Sequence, residues 1–152
     1  MSTTAEQIMT ANPIVLESSM SIQEAVDIFS KHKISSAPVM TSMGEVGGQL
    51  TELVLVRALV LHQLQPEKYQ KLAQIQELLE PSVFVEPKDS MSSVMKALLK
   101  SSSRRILVKS AGRKIFGNIS PKDIMRVLIQ GTPSAAAEDV KKEIAKLGSA
   151  KI

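Results

Sequence analysis

The chain has 152 residues, a formal net charge of +4 and an apolar fraction of 43%. This size and composition predict about one compact unit, and the aromatic fraction of 3% predicts a core of Ile, Leu, Val, Ala and Met. The absence of cysteine excludes a disulfide framework and a thiolate metal site. Two isolated histidines, His32 and His62, disfavour a zinc site, so we expect no bound metal.

Composition also bears on location and partners. The N-terminus, MSTTAEQIMT, lacks the basic start and the apolar run of a signal peptide. The most apolar segment, residues 53–61, is too short to span a bilayer and contains Arg57. We therefore expect a cytoplasmic protein without a membrane partner. The pI near 9.4 is compatible with nucleic-acid binding. We disfavour this interpretation, because stacking aromatic residues are scarce and no groove-reading motif is present.

The first half of the chain predicts alternating strands and helices. After a part-helical lead-in, residues 13–17 form a β-rich run. Ser21 and Glu24 have the spacing of a capping box at the start of a helix whose apolar stripe is Ile22, Ala25, Val26 and Phe29. A second strand should start at Pro38, because proline is poorly tolerated inside a central strand. A turn and a third strand follow, up to Gly48.

A second predicted helix, residues 52–64, is capped by Thr51 and is apolar on almost every side. Such a helix must be covered on more than one side. We therefore expect it to pack against the other half of the chain or against a second copy, and we predict a homodimer.

The segment that joins the two halves, residues 65–81, is predicted to be a packed helix and not a flexible linker. Pro66 can start the helix and Pro81 ends it. Its apolar stripe comprises Tyr69, Leu72, Ile75, Leu78 and Leu79.

The second half repeats the plan of the first. A strand at residues 83–85 precedes a helix that Asp89 or Ser90 caps, and another strand follows Arg104 and Arg105. A shift of 69 residues superimposes the halves without a gap and pairs Gly48 with Gly117, Thr51 with Ser120, Ser21 with Ser90, and Arg57 with Arg126. Two copies with so long a period indicate a tandem pair and not an extended solenoid.

The most informative stretch runs from Gly117 to Ile124. A glycine at a strand end lets the backbone come close to another group. Ser120 has the place of a helix N-cap and Pro121 that of the first helical residue. The N–H groups of this first turn form a weak anion site, and Asp123 lies one turn in, near Ser120. A phosphate on the helix start with a ribose on the carboxylate is physically sensible, and an ordinary capping box is the alternative.

This stretch resembles the Gly-apolar-x-Ser/Thr-x-x-Asp signature of CBS domains, regulatory modules of the cystathionine-β-synthase type. The resemblance covers residues 8–131 and implies an α/β (α+β) fold of two tandem β-α-β-β-α repeats, packed with pseudo-twofold symmetry and usually paired into a homodimer. It divides the chain into repeat 1 (8–64), an inter-repeat helix (65–81), repeat 2 (82–131) and a C-terminal tail (132–152), for which we predict a helix.

The resemblance also implies a nucleotide site. The family motif would place the ribose on Asp123 and a phosphate on Ser120, with Ile119 lining the pocket. Arg104 and Arg105 would reach phosphate, as a basic pair does at this point in the regulatory γ subunit of the AMP-activated kinase, because the guanidinium fork suits phosphate. The remaining candidates are Lys122 for phosphate and, from the opposite repeat on family geometry, Thr10, Ile14, Ser35 or Ser36.

Repeat 1 departs from the signature, because Val54 stands where repeat 2 has Asp123. We therefore expect a degenerate first site. The leading interpretation is a sensor that reversibly binds AMP, ADP, ATP or a related adenosine compound and signals to a protein partner. The alternative is a ligand-free module for dimerisation and partner docking. The sequence shows no nucleophile–base pair, no paired catalytic carboxylates and no metal cluster, so nothing in it indicates an enzyme.

Overall fold

A computed structural model describes residues 3–110 and 114–129. The chain divides into two compact units. The continuous unit is Ile14–Ser82, and the split unit combines Met1–Pro13 with Val83–Ile152. Each unit mixes a β-sheet with helices, which confirms the predicted fold class. The repeat boundaries stay predictions, and the predicted tail helix lies outside the described residues.

Strands and helices alternate along the chain as the sequence predicts. In order they are α1 (Ala5–Ile8), β1 (Thr10–Ala11), β2 (Leu16–Glu17), α2 (Ile22–His32), β3 (Ser36–Met40), β4 (Val46–Thr51), α3 (Glu52–Leu64), β5 (Val83–Val85), α4 (Met91–Lys100), β6 (Ile106–Lys109), β7 (Ile115–Ile119) and α5 (Pro121–Ile129). Two predicted helix starts are confirmed, since Ser21 Oγ accepts the N–H of Glu24 at 3.0 Å and Ser90 Oγ that of Ser93 at 3.2 Å.

The continuous unit contains a three-stranded sheet in the order β2-β3-β4. β2 runs parallel to β3, and β3 runs antiparallel to β4. Apolar side chains from the sheet and the helices meet in one core, which includes Leu16, Ile22, Phe29, Leu50, Val54, Leu55, Leu72 and Ile75. The predicted stripe of α2 therefore faces this core.

Pro38 lies in the middle of β3 and not at its start, so that prediction was wrong. It stands opposite Gln49 of β4. Gln49 directs both its backbone N–H and its C=O to Glu80, with N···O distances of 2.7 and 2.9 Å. Pro38 and Gln49 consequently form a pair without mutual hydrogen bonds, and the missing proline N–H breaks no bond to β4.

α3 has the bounds and the cap that the sequence predicts. Thr51 Oγ1 accepts the N–H of Val54 at 3.2 Å, and Val54, Leu55 and Ala58 are buried. The helix also carries four apolar side chains that are 52% to 72% exposed: Leu53, Val56, Val60 and Leu64. These four residues form what we call the apolar α3 face.

Between α3 and β5 the structure has a turn and then a 3-10 helix, Leu72–Leu78, where we predicted one packed helix over residues 65–81. The reason lies in its hydrogen bonds. The N–H groups of Leu72 and Ala73 donate to the carbonyls of Met20 and Ser18, at 2.9 and 2.8 Å. Backbone groups that pair with the loop before α2 are not available for an α-helical ladder. The predicted burial of Tyr69, Leu72 and Ile75 is nevertheless confirmed.

The split unit contains a four-stranded sheet in the order β1-β7-β6-β5. Its edge strand β1 comes from the start of the chain and pairs with β7, Thr10 lying opposite Asn118. The lead-in is also fastened at α1, where the Ala5 N–H donates to Asp89 O at 2.8 Å. Ala5 and Ile8 are fully buried in the core of this unit. α1 and β1 therefore pack as part of the split unit, although they lie at the start of the chain.

A corresponding arrangement occurs in the continuous unit. Glu80, which pairs with Gln49 of β4 through the two bonds described above, is the residue that the shift of 69 assigns to Ala11 of β1. Each sheet is thus completed by the segment that precedes the other repeat in the sequence. The sequence did not predict this exchange, because any extended segment can cover an unpaired strand edge.

The segments around β1 and Glu80 explain why a glycine stands at two equivalent positions, Gly48 and Gly117. A Cβ on Gly117 would lie 2.5 Å from Met9 Sδ and 2.7 Å from Thr10 O. A Cβ on Gly48, whose φ is +148°, would lie 2.7 Å from Leu79 Cβ. Both glycines therefore admit a neighbouring segment close to the strand backbone.

We predict that Gly117→Ala destabilises the protein by about 1–3 kcal/mol, because the added methyl group would press on a carbonyl held in β1. Gly47→Ala is the comparison, because its Cβ would meet the end of the Gln76 side chain at 2.7 Å. That side chain can rotate away and loses only an exposed hydrogen bond to Gly47 O, so the loss of stability should be smaller. Urea unfolding of both variants measures the difference. An equal loss in the free energy of unfolding for both variants would contradict this explanation of Gly117.

Candidate functional site

The candidate site is centred on Asp123, in the first turn of α5. Its side chain is 6% exposed, and its carboxylate receives donors from three residues. Oδ1 accepts from the Thr10 hydroxyl at 2.7 Å and lies 3.2 Å from Nη2 of Arg126. Oδ2 accepts from the backbone N–H of Ser120 at 2.8 Å and from its hydroxyl at 3.1 Å. A buried carboxylate requires such compensation, because removing a charge from water is costly.

The local sequence accounts for half of this arrangement. Pro121 is the first residue of α5, where its missing N–H breaks no helical bond. Ser120 therefore precedes the helix, and Asp123 reaches back to the Ser120 N–H as the acidic residue of a capping box does. The proximity of Ser120 and Asp123 that the sequence predicted is confirmed.

Thr10 reaches the site through the sheet. The pairing of β1 with β7 brings Thr10 opposite Asn118, two residues before Ser120, although 113 positions separate Thr10 from Asp123 in the sequence. The sequence named Thr10 as a candidate from family geometry alone. The structure brings its hydroxyl into direct contact with the carboxylate.

Arg126 is a member of this cluster that sequence reasoning missed. Its Nη2 atom donates to Ile8 O at 2.9 Å and forms the ion pair with Asp123. Two signals were present: the spacing of three residues from Asp123, which places both on one side of a helix, and the pairing of Arg126 with Arg57 by the shift of 69. Arg126 thereby connects α5 to the end of α1.

The predicted basic pair is divided between two environments. Arg104 is exposed and has a left-handed backbone with φ 57°. Its Nη1 atom lies 3.4 Å from both Leu98 O and Ser101 O, so it faces the carbonyl end of α4, where a cation is favoured. Arg105 is half-buried, and its backbone N–H and C=O both bond to the hydroxyl of Ser101.

The other predicted residues fall into two groups. Ile119 is fully buried in the core of the split unit, next to Ser120, and Lys122 is exposed at the start of α5. Ile14, Ser35 and Ser36 belong to the continuous unit. There Ser36 Oγ accepts from the Gln49 side chain at 2.8 Å, and Ser35 O accepts from the Glu52 N–H at 3.1 Å.

The corresponding position in the continuous unit carries neither the charge nor the hydroxyl partner. The shift of 69 maps Asp123 onto Val54 and Thr10 onto Leu79. Val54 is fully buried in the apolar core, and Leu79 packs against that core. Two apolar side chains thus stand where the split unit has the carboxylate and one of its hydroxyl donors. Arg57, which has the place of Arg126, is exposed to water and needs no buried acceptor.

Residues 3–110 and 114–129 offer neither a metal-binding cluster nor a membrane-spanning helix. These residues contain no group of three or more His, Asp or Glu side chains able to hold a metal ion. Within the same part of the chain, every helix is too short or too polar to cross a membrane.

Comparison with known proteins identifies similar folds. CBSX2, a protein of Arabidopsis thaliana, has been solved in complex with AMP; that structure is 22% identical, covers 84% of this chain and 96% of its own, and has a TM-score of 0.69. The CBS domain pair of MJ0100, in complex with 5′-methylthioadenosine and S-adenosyl-L-methionine, is 23% identical with a TM-score of 0.67 and covers 84% of this chain and 97% of its own.

A curated relative, protein MJ1225 of Methanocaldococcus jannaschii, is 26% identical over 123 residues. The alignment covers 80% of this chain and 41% of the relative, so the chain spans about two fifths of that protein's length. The family model described as "CBS domain" matches twice, at residues 5–61 and 75–130. These two matches include most of the chain, agree with the repeat of 69 residues and with the motif around Asp123, and show that the chain belongs to the CBS domain family.

Proposed function

We propose that this chain is a regulatory module that reversibly binds an adenosine-containing ligand, such as AMP, ADP or ATP, and signals to a protein partner. The observation that carries the proposal is the buried Asp123 carboxylate with a hydroxyl donor on each oxygen. The ligands of the CBSX2 and MJ0100 structures support it, because AMP, 5′-methylthioadenosine and S-adenosyl-L-methionine all contain adenosine.

A ribose suits Asp123 for a chemical reason. An ionised carboxylate only accepts hydrogen bonds, and its two oxygens can receive the two hydroxyls of a vicinal diol. Hydrogen bonds to a charged group contribute about 1.5–3 kcal/mol. Thr10 and Ser120 already supply hydroxyl donors to these oxygens, so the surroundings of the carboxylate tolerate O–H groups.

The loss of polarity in the continuous unit favours one strong site per chain. A diol placed against Val54 and Leu79 would lack an acceptor, at a cost of about 1–3 kcal/mol for unpaired hydroxyls. Because 1.4 kcal/mol is a factor of ten in affinity, the second site should be weaker by about one to two orders of magnitude. For phosphate we propose Arg105, Arg104 and Lys122, while Ile14, Ser35 and Ser36 stay predictions from the family resemblance.

A second candidate function has its own support in the apolar α3 face. Leu53, Val56, Val60 and Leu64 are all more than half exposed, and a contiguous exposed apolar surface is typical of an interaction site. The alternative is therefore a ligand-free module that dimerises and docks a protein partner. The two functions differ in one measurable property, since only the sensor binds adenosine compounds.

We predict that AMP raises the melting temperature of the wild type and that Asp123→Asn removes most of this shift. A ligand at 100 times its dissociation constant that binds only the folded state adds about 2.7 kcal/mol of stability. The side chain of Asn has one accepting oxygen and one donating NH2 group, so it cannot accept a hydrogen bond from both hydroxyls of a diol. Val54→Ala is the matched control at the equivalent position: it should lower the melting temperature of the free protein and keep the shift. Calorimetry should give one strong site per chain.

A full AMP shift in Asp123→Asn would refute the assignment of the ribose to this carboxylate. Two equally tight sites per chain would refute the assignment of a degenerate site to the continuous unit. No binding of AMP, ADP, ATP or adenosine at millimolar concentration would favour the ligand-free alternative.

We predict that Arg105→Ala lowers the affinity for AMP about ten- to hundredfold, the equivalent of one charge-assisted hydrogen bond. The affinity for adenosine should stay nearly constant. Arg104→Ala is the comparison, because the Arg104 guanidinium lies at the carbonyl end of α4 and would have to leave it to bind phosphate. Isothermal titration of both ligands measures the effect. Equal losses for AMP and adenosine would show that Arg105 does not contact phosphate.

We predict a homodimer at micromolar concentration, held in part by the apolar α3 face. Val60→Glu should weaken the dimer at least about tenfold, because a carboxylate would be buried without a partner. Met43→Glu is the control, since Met43 is 72% exposed in the turn between β3 and β4 and lies outside this face. Light scattering over a concentration series measures both variants. A monomer mass for the wild type would exclude the dimer.

A further inference from the structure

The donors around Asp123 differ in how firmly they are held. Arg126 is anchored, because the Nη2 atom that pairs with Oδ1 also donates to Ile8 O at 2.9 Å. The Ser120 N–H is anchored as well, since it belongs to the backbone where α5 begins. The hydroxyls of Thr10 and Ser120 are different, because each can rotate about a single bond. The cluster thus contains two fixed donors and two rotatable ones.

Each carboxylate oxygen has one donor of each kind. Oδ1 receives the fixed Arg126 and the rotatable Thr10 hydroxyl, at 3.2 and 2.7 Å. Oδ2 receives the fixed N–H of Ser120 and its rotatable hydroxyl, at 2.8 and 3.1 Å. Since a carboxylate offers about four acceptor positions, these donors fill it, and a ligand hydroxyl can bind only by replacing one of them.

The rotatable donors are the ones that a ligand can replace at low cost. A displaced hydroxyl can turn to another acceptor, such as a second group of the ligand or water. Displacing Arg126 would instead break its bond to Ile8 O or leave the carboxylate without its ion pair. Because one hydroxyl occupies each oxygen, two adjacent hydroxyls on a ligand can take both places together.

We propose that Arg126 is a positioning residue, which holds the Asp123 carboxylate in the orientation that receives a vicinal diol while the hydroxyls of Thr10 and Ser120 give way. This inference rests on the proposed function, because it names the group that makes the Asp123 site selective for ribose. Arg126 does not touch the ligand in this arrangement. Its effect should therefore be confined to ligands that carry both the 2′- and the 3′-hydroxyl.

The chain contains a matched control for Arg126. The shift of 69 pairs it with Arg57, which follows Val54 at the same spacing of three residues. Arg57 is also an exposed helical arginine, but the position that corresponds to Asp123 has no carboxylate. A substitution at Arg57 thus removes the same side chain from an equivalent helix without affecting an acceptor for the diol.

The test compares AMP with 2′,3′-dideoxy-AMP by isothermal titration. In the wild type, AMP should bind more tightly, and the ratio of the two dissociation constants measures recognition of the diol. Arg126→Gln should raise the dissociation constant of AMP about tenfold, roughly the effect of one hydrogen bond to a charged group. The dissociation constant of the dideoxy compound should stay within about twofold of the wild-type value. Arg126→Lys keeps the charge without the planar fork, so its ratio should be intermediate. Arg57→Gln should match the wild type.

Each outcome supports or overturns the inference. If Arg126→Gln lowers the affinity for both compounds equally, Arg126 has a merely structural role. If the affinity for AMP is unchanged, the carboxylate needs no support from Arg126. Either result overturns the inference while the proposed function stands. Equal affinities of the wild type for the two compounds, or no binding of AMP, would overturn the Asp123 ribose site itself. If only Arg126→Lys folds, an unchanged ratio in that variant overturns the inference.

Discussion

A carboxylate withdrawn from water must be supplied with hydrogen-bond donors, and the split unit is organised around meeting this requirement at Asp123. The donors come from the start of α5, from β1 and from the next turn of α5, where Arg126 also bonds to the end of α1. Ile8 and Thr10, near the start of the chain, are therefore connected to α5 by the same atoms that form the candidate binding site. Structure and proposed function share one cluster.

The continuous unit shows how the same framework is stable without the charge. Val54 and Leu79 replace the carboxylate and the hydroxyl, and both lie in or against the apolar core. Replacing both members of a buried polar pair by apolar groups costs little, whereas replacing one would leave the other unsatisfied. With both positions apolar, the continuous unit has the same framework without a polar site. The two units therefore have different chemistry, which a sensor with one strong site per chain would need.

Local signals predicted a large part of the fold. The caps at Ser21, Thr51 and Ser90, the bounds of α3 and the helix start at Pro121 are set by neighbours within four residues, so the sequence reports them directly. The prediction failed between α3 and β5, where the N–H groups of Leu72 and Ala73 bond to a loop about 50 positions away. Pro38 failed for a similar reason, because its tolerance depends on where Gln49 directs its backbone groups.

The sequence by itself determined that the chain is a tandem pair and that Ser120 and Asp123 lie together at a helix start, since periodicity and spacing along one helix are local properties. The loss of the acidic residue at Val54 was equally visible. Only the tertiary structure decided that β1 joins the sheet of the split unit, that Thr10 donates to Asp123, and that Arg126 contacts both Asp123 and Ile8. These contacts depend on which strand edge a distant segment covers. That choice follows from the packing of the whole unit, because backbone pairing is equally open to any extended segment.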